Sequence, residues 1–141
     1  MKHQIILLGK DITSVYHGIK EFGPDHVHLL CTNETKEVAA PLFPLLPDGI
    51  RRTLYRTEPY DGEHVRNVCR KIHQTYPSAE FAYNLSEGTK VMAFAAFTIA
   101  KEYSVPAFYL SQLGELIRLD SFEKYPMKSQ LDNKEILGLS G

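Results

Sequence analysis

Phe81-Ala82-Tyr83-Asn84-Leu85-Ser86-Glu87-Gly88-Thr89-Lys90 changes character twice in a short space. An apolar, aromatic run reads as a strand, and a polar loop with Gly88 ends it. From Thr89 to Tyr103 an apolar pattern reads as a helix. A strand that feeds a helix through such a loop aims free backbone N–H groups at one point, where the helix dipole favours an anion. Thr89 adds a hydroxyl and Lys90 a positive charge, the chemistry of phosphate capture. An ordinary strand–helix turn with a solvated lysine has the same spacing, so the pattern alone leaves both readings open.

Outward from this stretch, strand and helix patterns alternate. Residues 4–8 are an apolar strand closed by Gly9, and Ile12 to Phe22 is a helix stopped by Gly23-Pro24. His26 to Thr32 is the second strand. Thr35 to Ala40 reads as a short helix before the segment broken by Pro41, Pro44 and Pro47. A third strand is expected over Ile50 to Tyr55, an amphipathic helix over Asp61 to Tyr76, and a fourth strand over Glu80 to Leu85. The runs 107–111 and 116–120 stand too close for a helical crossover and form an antiparallel hairpin through Gly114. The expected fold is therefore α/β and Rossmann-like: a mostly parallel sheet, helices on both faces, and a C-terminal antiparallel hairpin. Residues 1–121 form the domain, and 122–141 a more polar tail or linker with a short helix over Asn133 to Leu139 capped by Asp132.

Composition narrows the function. Sixteen basic residues face seventeen acidic ones without a long basic run, which argues against duplex nucleic acid. No apolar stretch approaches the roughly 20 residues of a membrane helix. No signal-peptide pattern opens the chain, and Cys31 and Cys69 form no disulfide framework, so a reduced cytoplasmic setting is expected. The six histidines (His3, His17, His26, His28, His64 and His73) show no compact ligand cluster. His26 and His28, on one strand face, read as a solvated or capped pair, so neither metal nor cofactor is expected.

In such a sheet, ligands bind beyond the carboxyl ends of the strands. The loop after the first strand offers Gly9, Lys10, Asp11, Thr13 and Ser14. The loop after the fourth offers Asn84, Ser86, Glu87, Gly88, Thr89 and Lys90. The first loop lacks Gly-x-Gly-x-x-Gly, which counts against an unrelated dinucleotide-dependent enzyme.

Asn84-Leu85-Ser86-Glu87-Gly88-Thr89-Lys90-Val91-Met92-Ala93 resembles the Asn-x-Thr-Gly-Gly-Thr-Lys-x-Met signature of CARF domains, the CRISPR-associated Rossmann fold. The opening strand and loop, the final hairpin and residues 131–141 are similar as well. The resemblance implies a homodimer that binds cyclic tetra- or hexa-adenylate across its axis and signals to an effector domain or protein in type III CRISPR defence. It also implies a second activity in some members, metal-independent ring cleavage. Here Lys90 with Thr13 or Ser14 would be catalytic, yielding linear products with 2′,3′-cyclic phosphate ends. Glu87 stands where a second glycine is common, and Asp11 is an acid in the first loop. Both put negative charge near a polyanion, which favours sensing over cleavage. Met92, Phe94 and Phe97 belong either in part to the dimer surface or to the core of the monomer.

Overall fold

Ile5, Ile6 and Leu7 have no solvent exposure because helices cover both faces of the strand that carries them. The computed structural model describes residues 1–128 with Leu131, Glu135, Gly138 and Leu139. Its elements run β1 (Lys2–Leu7), α1 (Ile12–Phe22), β2 (His26–Cys31), β3 (Arg51–Arg56), α2 (Gly62–Thr75), β4 (Glu80–Asn84), α3 (Lys90–Glu102), β5 (Ala107–Leu110), β6 (Glu115–Arg118) and β7 (Lys124–Pro126). The strands form one sheet in the order β3-β2-β1-β4-β5-β6-β7. Pairing is parallel from β3 through β5 and antiparallel from β5 to β7. This is the expected Rossmann-like architecture, with the strand order reversing direction between β1 and β4.

Alternation along the strands divides the core in two. Ile5, Leu7, Leu30, Phe81 and Tyr83 pack with Val65, Cys69 and Ile72 of α2 and Met92, Ala96 and Ile99 of α3. Ile6, Leu8, Val27 and Leu29 pack with Ile12, Val15 and Ile19 of α1 and with Ala39 and Leu42. Each fully buried Leu or Ile contributes about 1.5–3 kcal/mol. Leu139 joins the α1 side, where Glu135 also pairs with Lys20 at 3.0 Å. Of the helix expected over 133–139, Glu135, Gly138 and Leu139 are helical, and the other positions, with the Asp132 cap, lie outside the described residues.

Several expectations need correction. Residues 35–40 form turns rather than a helix: the N–H groups of Val38, Ala40 and Leu42 donate to the carbonyls of Thr35, Glu37 and Ala39, three residues back. Pro41 and Pro44 supply no N–H, so this tighter winding never becomes α-helix; it ends in a 3-10 turn at Phe43–Leu45. β7 was not anticipated and adds a short exposed edge strand beyond the hairpin. In α3, Met92 is wholly buried and Phe97 packs against the core, so of the three candidate interface residues Phe94 alone stands in solvent, 74% exposed. Glu87 precedes the Thr89 cap and so lies outside the first turn of α3.

The histidine reading is overturned. Parallel register sets His3 beside His26 and Ile5 beside His28, which brings three imidazoles onto one face. All three are buried, and one ring nitrogen from each lies within 4.8 Å of the others. Burial first, then neighbouring imidazoles, holds His28 down to about 3; burial, then His3 and Arg51, holds His26 at about 4. No helix among the described residues is long and apolar enough to cross a membrane.

His73 provides a pH test of the fold. It is buried on the α2 side, Nε2 2.8 Å from the Tyr83 hydroxyl, and burial pushes it down to about 4 against the opposing field of Glu102. Between pH 6.5 and about 4 the unfolded chain holds a proton there that the folded chain refuses. Stability must therefore fall as pH drops through that window, by at most about 1.4 kcal/mol per pH unit from this residue. Urea unfolding at pH 7, 6 and 5 should show a shallower loss in His73→Gln than in the parent. Equal slopes would mean that His73 is protonated in the native state.

Candidate functional site

Asp11, Asp61 and Thr89 cap α1, α2 and α3, and all three caps lie beyond the carboxyl ends of parallel strands. Asp11 accepts from the Thr13 N–H at 2.9 Å, and Asp61 from the His64 N–H at 3.1 Å. Those two helix dipoles are already matched by carboxylates of the chain itself. α3 differs: its cap is the neutral Thr89, whose Oγ1 accepts from the Met92 N–H at 3.1 Å, and its first turn carries no acid. Lys90 follows at once. It is exposed and makes no hydrogen bond or ion pair with any described residue. The N-terminus of α3 therefore keeps its positive potential for an external anion.

Glycine is what allows the two loops to meet. A Cβ on Gly9 would stand 2.5 Å from Glu87 Oε1 and 2.9 Å from Glu87 Cβ. Gly88 has φ +89° and faces the Leu7 side chain, so any other residue there is both strained and crowded. Across this junction the Asp11 N–H donates to Glu87 Oε1 at 3.1 Å. Burial raises the Glu87 carboxyl above its usual range; the Asp11 N–H pulls it back, and the Asp11 charge raises it further.

Asn84 is buried and serves the framework. Its Nδ2 donates to the Ser14 carbonyl at 3.2 Å, while Oδ1 accepts from Ser86 N–H at 3.1 Å and Ser86 Oγ at 2.6 Å. Ser86 Oγ accepts in turn from the Leu110 N–H at 2.9 Å. One side chain thus ties the end of β4 to α1 and to β5. Asn84 and Ser86 position the loops and are not free to contact a ligand through these atoms.

The remaining sequence-derived residues fall into three neighbouring depressions. Gly9, Lys10, Glu87, Gly88 and Thr89 line a crevice of about 330 Å³ at the point where strand order reverses. Asp11, Thr13 and Ser14 line a second of about 300 Å³ with Ser111, Gln112 and Gly114 of the hairpin. Lys90 borders a third between α2 and α3 with Arg66 and Phe94. The first crevice also draws Thr32 and Thr35 from the loop after β2 and Pro59 and Tyr60 from the loop after β3. Thr89 Oγ1 donates to the Pro59 carbonyl, which anchors that loop, and leaves Tyr60 79% exposed beside the opening. Sequence reading passed over these residues, although each lies beyond a parallel strand and so obeys the same edge rule.

A neutral-capped helix N-terminus followed by an exposed lysine, next to a crevice at a Rossmann-type switch point lined by Lys10 and Tyr60, is an arrangement that can receive an anion. No protein-family model and no curated protein matches the sequence. Solved structures do. Can2 from Sulfobacillus thermosulfidooxidans, in complex with cyclic tetra-adenylate, matches with TM-score 0.86 and 22% identity over 99% of this chain and 41% of its own. A type III CRISPR defence DNA nuclease activated by cyclic oligoadenylate matches with TM-score 0.77 and 21% identity over 99% of this chain and 23% of its own. Enterococcus italicus Csm6, bound to cyclic hexa-2′-fluoro-hexa-dAMP, matches with TM-score 0.70 and 14% identity over 99% of this chain and 38% of its own. These are CARF-domain proteins, so the resemblance carried by Asn84 to Ala93 holds at the level of the fold. The chain spans well under half the length of each.

Proposed function

We propose that this chain is a cyclic oligoadenylate-binding sensor domain of type III CRISPR defence, which holds the ring across a homodimer axis. The observation that carries the reading is the N-terminus of α3, neutral-capped by Thr89 and followed by an exposed Lys90 that pairs with none of the described residues. A cyclic tetra- or hexa-adenylate has phosphates related by approximate rotational symmetry, and a two-fold dimer presents Lys90 and Lys10 twice. Near-neutral total charge is no obstacle, because the positive potential is local. Tyr60 offers a face on which an adenine can stack, a contact worth roughly 1–3 kcal/mol. Effector output belongs to another domain or protein.

The α2–α3 groove is the face we assign to dimerisation, because Phe94 and Val91 stand exposed there beside Lys90. Phe94→Glu should turn a dimer into a 16.0 kDa monomer in sedimentation and weaken ring binding with it. A variant that remains dimeric would move the interface elsewhere.

Cleavage is the competing activity, with Lys90, Thr13 and Ser14 as its groups. Incubation with cyclic tri-, tetra- and hexa-adenylate followed by mass analysis separates the two. A sensor leaves the bound ring intact for hours without metal; linear products with 2′,3′-cyclic phosphate ends, lost in Lys90→Ala, would make the chain a ring nuclease. Glu87→Gln keeps the acceptor for the Asp11 N–H and removes the charge. It should tighten binding several-fold at pH 8, and the gain should be smaller at pH 5, because burial shifts the Glu87 carboxyl upward and its charge is lost earlier as the pH falls. No gain at either pH would place Glu87 too far from the phosphates to matter.

A further inference from the structure

His3, His26 and His28 sit at the amino ends of β1 and β2, the edge of the sheet opposite the ligand crevice. We infer that these three imidazoles are the ligand set of a buried divalent metal site of the zinc class. Three features carry the assignment.

The first is convergence. One nitrogen from each ring lies within 4.8 Å of the others, and His3 Nδ1 and His28 Nε2 are 2.9 Å apart. Zinc–nitrogen bonds of about 2.0–2.1 Å put two ligands of a tetrahedral shell roughly 3.3 Å apart, inside this range. Small rotations of the rings suffice.

The second is orientation from behind. His26 Nε2 lies 2.8 Å from Thr53 Oγ1, and His28 Nδ1 lies 2.7 Å from the Tyr55 hydroxyl. When those ring N–H groups donate to the two hydroxyls of β3, the other nitrogen of each ring keeps its lone pair for an ion. Metal-bound histidines are held in this way by an outer shell of acceptors.

The third is enclosure. The Tyr76 ring packs over the group, with centroids 4.7 Å from His3 and 5.4 Å from His26 and His28. His3 Nδ1 and His28 Nε2 already share one hydrogen bond, and packing alone would be served better by apolar side chains. An ion in place of that hydrogen bond would take in His26 as well and fasten the start of β1 to β2.

An all-imidazole set selects zinc, copper, nickel or cobalt over magnesium or calcium. The set contains no carboxylate; Asp25 favours positive charge near His3, while Arg51 and the N-terminal amine oppose it. Water or hydroxide at a fourth position completes the shell and supplies countercharge.

The test strips the full chain with chelator, then titrates it with zinc or cobalt chloride. The expected result is one metal per chain, a rise of several degrees in melting temperature, and the visible bands of four-coordinate, nitrogen-ligated cobalt. His3→Gln should lose the metal-dependent rise. Thr53→Val, which retains every ligand, should weaken zinc binding roughly tenfold. His64→Gln on α2 should behave as the parent. If His3→Gln does not fold, the cobalt spectrum and stoichiometry of the parent decide alone. Substoichiometric metal with no cobalt bands in folded parent, or an undiminished zinc effect in His3→Gln, overturns the assignment and leaves a cluster held only by ring-to-ring and ring-to-hydroxyl hydrogen bonds.

Discussion

Lys90→Ala is expected to weaken binding of cyclic oligoadenylate at least tenfold while the free protein melts within about 2 °C of the parent. The first half follows from charge-assisted contacts, which contribute about 1.5–3 kcal/mol each and would be lost twice in a symmetric dimer. The second half follows from exposure: Lys90 makes no contact with the described residues that the fold would miss. Thr89, and not Lys90, caps the helix, so α3 keeps its start. Calorimetry and a thermal melt on the same preparation check both halves. Unchanged affinity would remove Lys90 from the site, and a large drop in melting temperature would make it a structural residue.

Asn84→Ala should do the reverse, costing stability first and binding as a consequence. Its side chain makes three hydrogen bonds from a position 1% exposed. Removing it leaves the Ser86 N–H and O–H without their acceptor, takes a second donor from the Ser14 carbonyl and opens a small cavity. Each unsatisfied buried group costs about 1–3 kcal/mol, so a total near 3 kcal/mol is expected, with a melting temperature lower by roughly 8 °C or more. Ring affinity should fall too, because the loops after β1 and β4 are both tied to this residue. A neutral substitution would mean that water replaces these bonds without loss. The two variants together separate what the site does from what holds it in place.

The fold was legible where one strand or helix writes its own pattern. Ile5 to Leu8 reads as a strand buried on both faces, Val65, Cys69 and Ile72 read as one face of α2, and Gly114 marks the hairpin. Failures came where the outcome depends on partners distant in sequence. Val38, Ala39 and Ala40 look helical, but the prolines that follow remove the donors a helix needs. β7 has three exposed residues and exists only because β6 offers it an edge. For the site, Gly88, Thr89 and Lys90 could be found from the chemistry of a single loop. Tyr60 and Thr35 obey the same edge rule, but it is sheet order that decides that their loops reach this crevice. The histidines carry the same lesson: His26 and His28 are two apart, but His3 joins them through the register of β1 on β2.

The central claim is that one ring is held by two copies of this chain through Lys90. Native mass spectrometry of the full chain with an excess of cyclic tetra- or hexa-adenylate tests it directly. The expected spectrum is a dimer carrying one intact ring, with Lys90→Ala remaining a dimer but losing the ring. A monomer with or without ring, or a dimer that takes up two rings independently, would contradict it.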